Sequence, residues 1–432
     1  MSRATGDFSW RSLAVPVLLP TLLYATGAGA ILPVVPMFAS RLGALLFDDA
    51  STVLAVAGVV ASLLMLGELI GNIPSGWLVG RIGERNAMIA AACLSIVGLI
   101  VCVLATTPWH LGAGVLLTGL ATSVFGLARH AFVVSYVPFS HRARALATVG
   151  GLFRFGYFVG PFITAAVLTM FVSFESAFWI HVAMCFASAI VLLFVRDPAK
   201  AMNDLAEAPV ARSRGSLFRT IAARSDVLLR LGSGAAVISA LRAGKMVVLP
   251  LWGVSIGLPD VATTTIIGIA GGVDFALFYL GGWLMDRHGR LWNAIPSTVG
   301  ISITFLLLAF THDLAAAVPW FIVLAMLMSV ANGLGSGIIL TLGADLADPG
   351  DPAPFLGAWR FTGSLGNAAA PLAIAAVTAA ISLPFAVAAL GVVGFAGAGL
   401  LARYIPRYPA TERPLPSTRN DSASESHPDT QP

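Results

Sequence analysis

The chain has 432 residues, of which 57% are apolar and 11% charged, against roughly 25% charged in an ordinary soluble domain, and its mean hydropathy is +0.88. That composition excludes a soluble multidomain protein and points to a membrane one. The formal net charge of +4 is no nucleic-acid footprint, because the basic residues are scattered between apolar runs. The runs are continuous rather than alternating, which excludes a transmembrane β-barrel. Cys93, Cys102 and Cys185 lie inside apolar runs without metal-ligand spacing, so neither a disulfide framework nor a metal or other cofactor is expected.

In chain order the apolar runs fall at about 13–39, 52–79, 86–107, 110–136, 146–171, 176–196, 228–257, 262–285, 291–311, 317–344, 354–380 and 383–404. Crossing a bilayer core of ~30 Å takes about 20 residues, so the sequence predicts an all-α membrane protein with twelve transmembrane helices. The first run contains Ala28-Gly29-Ala30, which could pass for a signal-peptidase site. Its continuation through Pro33-Val34-Val35-Pro36 argues for a retained span instead. Residues 197–227 carry much of the soluble charge and divide the spans into bundles at 13–196 and 228–404. Residues 1–12 form a short N-terminus, and the Pro-rich, then Ser/Asp/Glu-rich residues 405–432 read as a disordered tail.

With both termini in the cytoplasm, nineteen basic residues fall inside, only Arg41 falls outside and five remain in spans, which accounts for all 25. The positive-inside rule therefore sets the orientation. Twenty-three arginines against two lysines suggest a GC-rich bacterial genome, and so a bacterial cytoplasmic membrane.

A duplication is legible. Gly76-Trp77-Leu78-Val79-Gly80-Arg81-Ile82-Gly83 follows the second span, and Gly282-Trp283-Leu284-Met285-Asp286-Arg287-His288-Gly289 follows the eighth, an offset of 206. The same offset maps Glu68 onto Asp274, Phe153 onto Trp359 and Arg154 onto Arg360. A constant offset across independent segments means duplicated halves. Parallel six-helix halves are a transporter architecture, with the site between them near the midplane.

The second copy, ending in Gly289-Arg290, resembles the G-x-L-x-D-R-x-G-R signature of the major facilitator superfamily. Pro33-Val34-Val35-Pro36 is similar to the first-helix P-V-x-P motif of its twelve-span drug:proton antiporters. Gly156-Tyr157-Phe158-Val159-Gly160-Pro161 is similar to their fifth-helix G-x-x-x-G-P core. The resemblance implies two six-helix pseudo-symmetric bundles that work by alternating access. It also implies a gate built from Gly76, Arg81, Gly83, Gly282, Asp286, Arg287, Gly289 and Arg290, with Asp286 facing the start of the fifth helix. Gly80 replaces the usual Asp of the first copy, Thr164-Ala165 replace a Gly-Gly pair, and Val115 stands where a fourth-helix Arg is common. Arg81 and Arg85 are therefore expected to pair with Asp345, Asp348 or Asp351, and Pro161 to kink the fifth helix.

Seven ionisable residues lie inside spans: Glu68, Arg129, Arg154, Arg242, Lys245, Asp274 and Arg360. At roughly 2.5–3.5 kcal/mol each at the bilayer centre, they must face protein or a wet cavity. Glu68 and Asp274 each lie twelve residues before a signature turn, about 18 Å along a helix and so near the midplane, where either can carry a proton. Arg242 and Lys245 share a helix face and, with Arg154, Arg360, Phe153 and Trp359, are candidates for lining a substrate cavity. Arg129, near the end of its span, reads as structural, and His181 and Trp179 read as packing residues. Five cations against two carboxylates suit an anionic or amphipathic substrate.

No nucleotide-binding loop or hydrolase motif is present, so an enzyme is not expected. The expected function is secondary transport of a small amphipathic molecule by proton-coupled efflux. The alternative is proton-coupled uptake of a small, possibly anionic, nutrient. The expected partners are the substrate and membrane lipid, with no nucleic acid, around a monomer.

Overall fold

The structure, a computed structural model, describes residues 13–137, 139–171, 173–195, 217–347 and 353–408. Twelve helices among these are long and apolar enough to cross a membrane. They are α1 (Ala14–Gly43), α2 (Ala50–Ile82), α3 (Glu84–Val103), α4 (Pro108–Tyr136), α5 (Arg144–Phe171), α6 (Glu175–Phe194), α7 (Ser225–Ser255), α8 (Asp260–His288), α9 (Arg290–Phe310), α10 (Ala317–Leu346), α11 (Pro354–Ala380) and α12 (Leu383–Arg407). No strand occurs among the described residues. Helices satisfy their own backbone groups, which a bilayer core cannot do for them.

The helix starts α2, α4 and α12 are capped by side chains, those of Asp49, Thr107 and Ser382. Hydrogen bonds from Ser51 and Thr52 hold the Asp49 carboxyl down at about 2. Residues 217–223, read from sequence as part of the central loop, form a short helix (Leu217–Ala223) against α11, and α7 starts at Ser225 rather than 228. A π-helical turn at Leu228–Gly232, with Leu228 and Leu231 buried, continues that helix into the apolar run. Of the tail expected at 405–432, Ile405–Arg407 instead continue α12 as a 3-10 turn, because the chain there still packs its apolar side chains on the bundle; residues 1–12 and 409–432 lie outside the described residues.

The packing repeats with the sequence. In the first half α1 packs on α5 and α6, α4 on α2 and α3, and α3 on α6. In the second half α7 packs on α11 and α12, α10 on α8 and α9, and α9 on α12. Each pair has its mate six helices on. The halves meet along α2–α11 and α5–α8.

Glycine makes the tightest crossings possible. At α1–α5, a Cβ on Gly156 would lie 2.6 Å from the Ala25 Cβ, and one on Gly160 would strike the Thr26–Ala30 backbone. Thr164 Oγ1 donates to the Ala30 carbonyl at 2.8 Å. Gly366, the repeat mate of Gly160, meets Ala236 of α7 in the same way. Gly156 and Gly160 of the fifth-helix motif thus form an intra-half packing face, while Pro161 beside them turns to the cavity.

The halves touch along both seams, at the end away from the signature turns and near the midplane. Away from the signature turns, a Cβ on Gly58 would lie 3.1 Å from Ala375, and one on Gly268 would lie 3.1 Å from Phe162. At the signature end the contacts seen among the described residues keep the charged groups within their own halves. Arg290 binds Asp345 (2.8 and 3.1 Å), Arg85 donates to the Leu192 and Leu193 carbonyls (2.7 Å each), and Arg81 and Arg287 lie over Trp77 and Trp283. The expected pairing of Arg81 and Arg85 with Asp345 is therefore not made, and Asp348 and Asp351 lie outside the described residues. Asp286 has no hydrogen bond or ion pair among the described residues, so the implied latch on the fifth helix is absent. The cavity between the halves opens at this end.

Gly160→Val, which forces two β-branched methyls into α1, is expected to cost about 1–3 kcal/mol or more and to lower the thermal unfolding temperature in detergent. Gly282→Ala, with nothing within 4 Å of its new methyl, should leave it unchanged.

Candidate functional site

Helical spacing puts one stripe from each of several spans on the cavity wall. On α5 the stripe is Val149, Gly150, Phe153, Arg154, Tyr157, Phe158 and Pro161, and on α11 it is Arg360, Gly363, Ser364 and Asn367. Both follow the i, i+3, i+4, i+7 rule. Two chambers result. A deeper one of about 390 Å³ holds Arg154, Lys245 and Asp274. One of about 500 Å³ toward the signature end holds Glu68 and Arg360. Arg129, Arg242, His130, Phe153 and Tyr157 line both. All seven intramembrane ionisable residues therefore face one cavity, where each escapes hydrocarbon.

The deep chamber contains a connected ion cluster. Asp274 Oδ1 accepts from Arg154 Nη1 of the other half at 3.3 Å, and its Oδ2 accepts from Asn332 Nδ2 at 2.6 Å. Lys245 Nζ lies 3.9 Å from Asp274 Oδ2 and donates to Ser329 Oγ at 2.7 Å. Arg154 also stacks 4.7 Å from the Phe278 centroid. Arg242 Nη2 donates to the Gly335 carbonyl at 2.6 Å.

That carbonyl is available because α10 is interrupted between Leu334 and Ile338. Gly337 there has φ +84°, a left-handed conformation that glycine adopts without penalty. A Cβ on Gly335 would strike Ser297 Oγ. Asn293 takes the Leu334 carbonyl at 2.6 Å and the Gly281 carbonyl at 2.8 Å. Broken helices at membrane depth persist where such side chains re-satisfy the backbone.

The duplication is not matched by the electrostatics. Arg154 pairs with Asp274, yet their mates Arg360 and Glu68 form no hydrogen bond or ion pair with any described residue. Arg129 is only 7% exposed, its Nε has no partner, and its guanidinium lies 5.0 Å from the Phe153 centroid.

Two sequence expectations need correcting. Trp359 lines neither chamber. It is 2% exposed, donates Nε1 to the Ile339 carbonyl at 2.8 Å and stacks on Phe355, because it sits about 100° around α11 from Arg360. Arg129 is a cavity residue rather than a structural end-of-span cation, being i+3 from Gly126 and i+7 from Thr122 on the wetted stripe of α4. His181 is buried edge-on to Tyr24, and Trp179 is 53% exposed, so both lie off the cavity. Sequence reasoning missed His130, Tyr157, Asn72 and Asn332. Of these, Tyr157 could have been found at i+3 and i+4 from Arg154 and Phe153.

The family model of the Major Facilitator Superfamily matches residues 17–350 and 274–427. A gallate transporter of Pseudomonas putida is 27% identical over 153 residues, 34% of this chain and 33% of that protein. The multidrug resistance protein MdtG of Citrobacter koseri is 25% identical over 188 residues, 43% of each. The chain thus spans less than half the length of these curated relatives. Among solved structures, an auto-inhibited POT family peptide transporter superimposes with TM-score 0.74 at 16% identity, covering 94% of this chain and 99% of that one. A D-xylose-proton symporter superimposes with TM-score 0.73 at 14% identity, covering 93% and 99%. These likenesses fix the fold. With the matched family model, the twelve spans and the cavity between duplicated halves, the chain belongs to the major facilitator superfamily and is a multi-pass membrane protein.

Proposed function

We propose that the chain is a proton-coupled symporter that brings a small organic anion into the cell, with Glu68 as the group that takes up and releases the proton. One observation carries this reading: Glu68, without a partner, faces the same chamber as Arg129, Arg242 and Arg360. Protonating Glu68 removes the carboxylate that shares this chamber with the three arginines, so an anion then binds more tightly. By reciprocity of linked binding, the anion favours the proton equally. Two ligands that help each other onto one cavity travel together. Asp274, held by Arg154, Lys245 and Asn332, serves instead as the joint between the halves. On the orientation drawn from the basic residues, the open signature end faces the cytoplasm and this is the inward-facing state. The likeness to a gallate transporter, named for a carboxylate, supports an organic anion.

A second reading, proton-coupled efflux of a neutral amphipathic molecule, is favoured by the Pro33–Pro36 and Gly156–Pro161 motifs and by the likeness to MdtG. The two differ in electrical character. A monoanion moving with one proton carries no net charge, so a pH gradient drives it about tenfold per unit and membrane potential does not. A neutral molecule exchanged for a proton responds to both, about 40-fold per 100 mV.

The test is reconstitution into liposomes under separately imposed pH gradients and potassium diffusion potentials, with a panel of acids and neutral amphiphiles. Acid uptake driven by the pH gradient and indifferent to potential is expected. Potential-driven efflux of neutral compounds without acid uptake would instead establish the second reading. Glu68→Gln should abolish pH-driven accumulation, by at least tenfold, while leaving acid exchange across the membrane at equal pH intact. Asp274→Asn strands Arg154 and Lys245 without their carboxylate, a loss of several kcal/mol for buried pairs. It should depress accumulation and exchange alike, read in the same two assays.

A further inference from the structure

Of the five intramembrane cations, Arg154 and Lys245 already have Asp274. Arg129, Arg242 and Arg360 have no acidic partner within ion-pair distance, and all three line the chamber at the signature end. Arg129 and Arg242 each keep a buried Nε without a hydrogen-bond acceptor. Repeat symmetry would pair Arg360 with Glu68, and that pair is open. Three guanidinium groups lining one chamber carry a desolvation cost, and Arg129 and Arg360 repel each other; an anion among them relieves both, and their planar forks match a carboxylate in two-point contact.

The adjoining deep chamber has a different character. Phe153, Phe158 and Phe275 face it with Met246 and Ile267, and Phe158 and Phe275 lie nearly parallel, 6.3 Å between centroids. Its volume of about 390 Å³ lies at the small end of ligand pockets, roughly 300–1,000 Å³.

We infer that the cavity is a two-part site for an aryl or arylalkyl monocarboxylate, its carboxylate held by Arg129, Arg242 and Arg360 and its ring lodged among Phe153, Phe158 and Phe275. Arg129 comes from the first half and the other two arginines from the second, so the bound carboxylate ties the halves together on the open side of the midplane. The substrate is thereby also the ligand that favours closing that side. This assignment rests on the central cavity being the transport site, as proposed above, and it names the class of molecule transported.

The test is equilibrium binding to the purified full-length chain in detergent at fixed pH with no gradient, using radiolabelled 3-phenylpropionate. Unlabelled 3-phenylpropionate should displace it, while acetate, which lacks the ring, and 3-phenylpropanamide, which lacks the charge, should compete at least tenfold less well. Arg129→Gln and Arg360→Gln should each weaken binding tenfold or more, Phe153→Ala should weaken it several-fold, and Arg403→Ala, outside the cavity and the gate, should not change it. Should a glutamine variant fail to elute as a folded monodisperse species, Arg129→Lys keeps the charge, removes the fork and is expected to bind severalfold more weakly. No binding of the acid at millimolar concentration, equal competition by the amide, or folded arginine variants that bind like the parent would each overturn the assignment. Arginine-dependent acid binding without proton-driven uptake would uphold this site while removing the symport reading. Proton-driven acid uptake with binding indifferent to the arginines would do the reverse.

Discussion

The cost of an ionised group in hydrocarbon governs this molecule. At roughly 2.5–3.5 kcal/mol per residue, seven charges facing lipid would cost more than the whole stability of a folded domain, about 5–15 kcal/mol. The fold answers by turning every one of them into a single cavity. Charge thus fixes the rotation of α2, α4, α5, α7, α8 and α11 about their own axes, which their nearly uniform apolar character leaves undetermined. The same constraint ties the halves together where Arg154 of the first half shares Asp274 of the second with Lys245 and Asn332.

Glycine supplies what charge cannot. Backbones approach closely at α1–α5 and α7–α11 because Gly156, Gly160 and Gly366 present no side chain, and such small-residue faces make each half a stiff body. Contacts between halves are of another kind: a few apolar touches at one end and an ion cluster near the midplane. Stiff halves joined by a polar cluster can rock as units. The interruption of α10 at Gly335–Gly337 lies beside that cluster, with Arg242 of α7 and Asn293 of α9 holding its freed carbonyls. Any movement of α10 is therefore felt at the cavity wall.

Much of this was legible in the sequence. The spans follow from run length, the family likeness from the signature turns, and Glu68 and Asp274 stand out because a carboxylate in an apolar run must have a reason. The failures share a cause. Arg129 lies seven residues past the centre of α4, about 10 Å along the helix, and so resembled a cation at the membrane boundary. Only the lateral packing of α4 shows that the cavity extends that far. Trp359 was misplaced because its repeat mate Phe153 lines the cavity. Duplication preserves the order of residues along a helix better than it preserves the depth of a wall. The contact of Asp274 with Arg154 and Asn332 joins three helices from two halves, a register that hydropathy does not encode.

The broken symmetry is itself informative. Gene duplication made Arg154–Asp274 and Arg360–Glu68 equivalent, and both stand on the paired seams α5–α8 and α2–α11. One pair is closed and the other open in the same structure. A closed pair gains Coulomb energy and loses the capacity to exchange partners, whereas an open pair keeps a carboxylate free for a proton and a guanidinium free for an anion. If both pairs were closed, the halves would be locked with no group left to titrate. If both were open, nothing near the midplane would hold them in register. On the proposed reading, dividing the two roles between the copies lets one seam act as a hinge and the other as the place where proton and substrate meet.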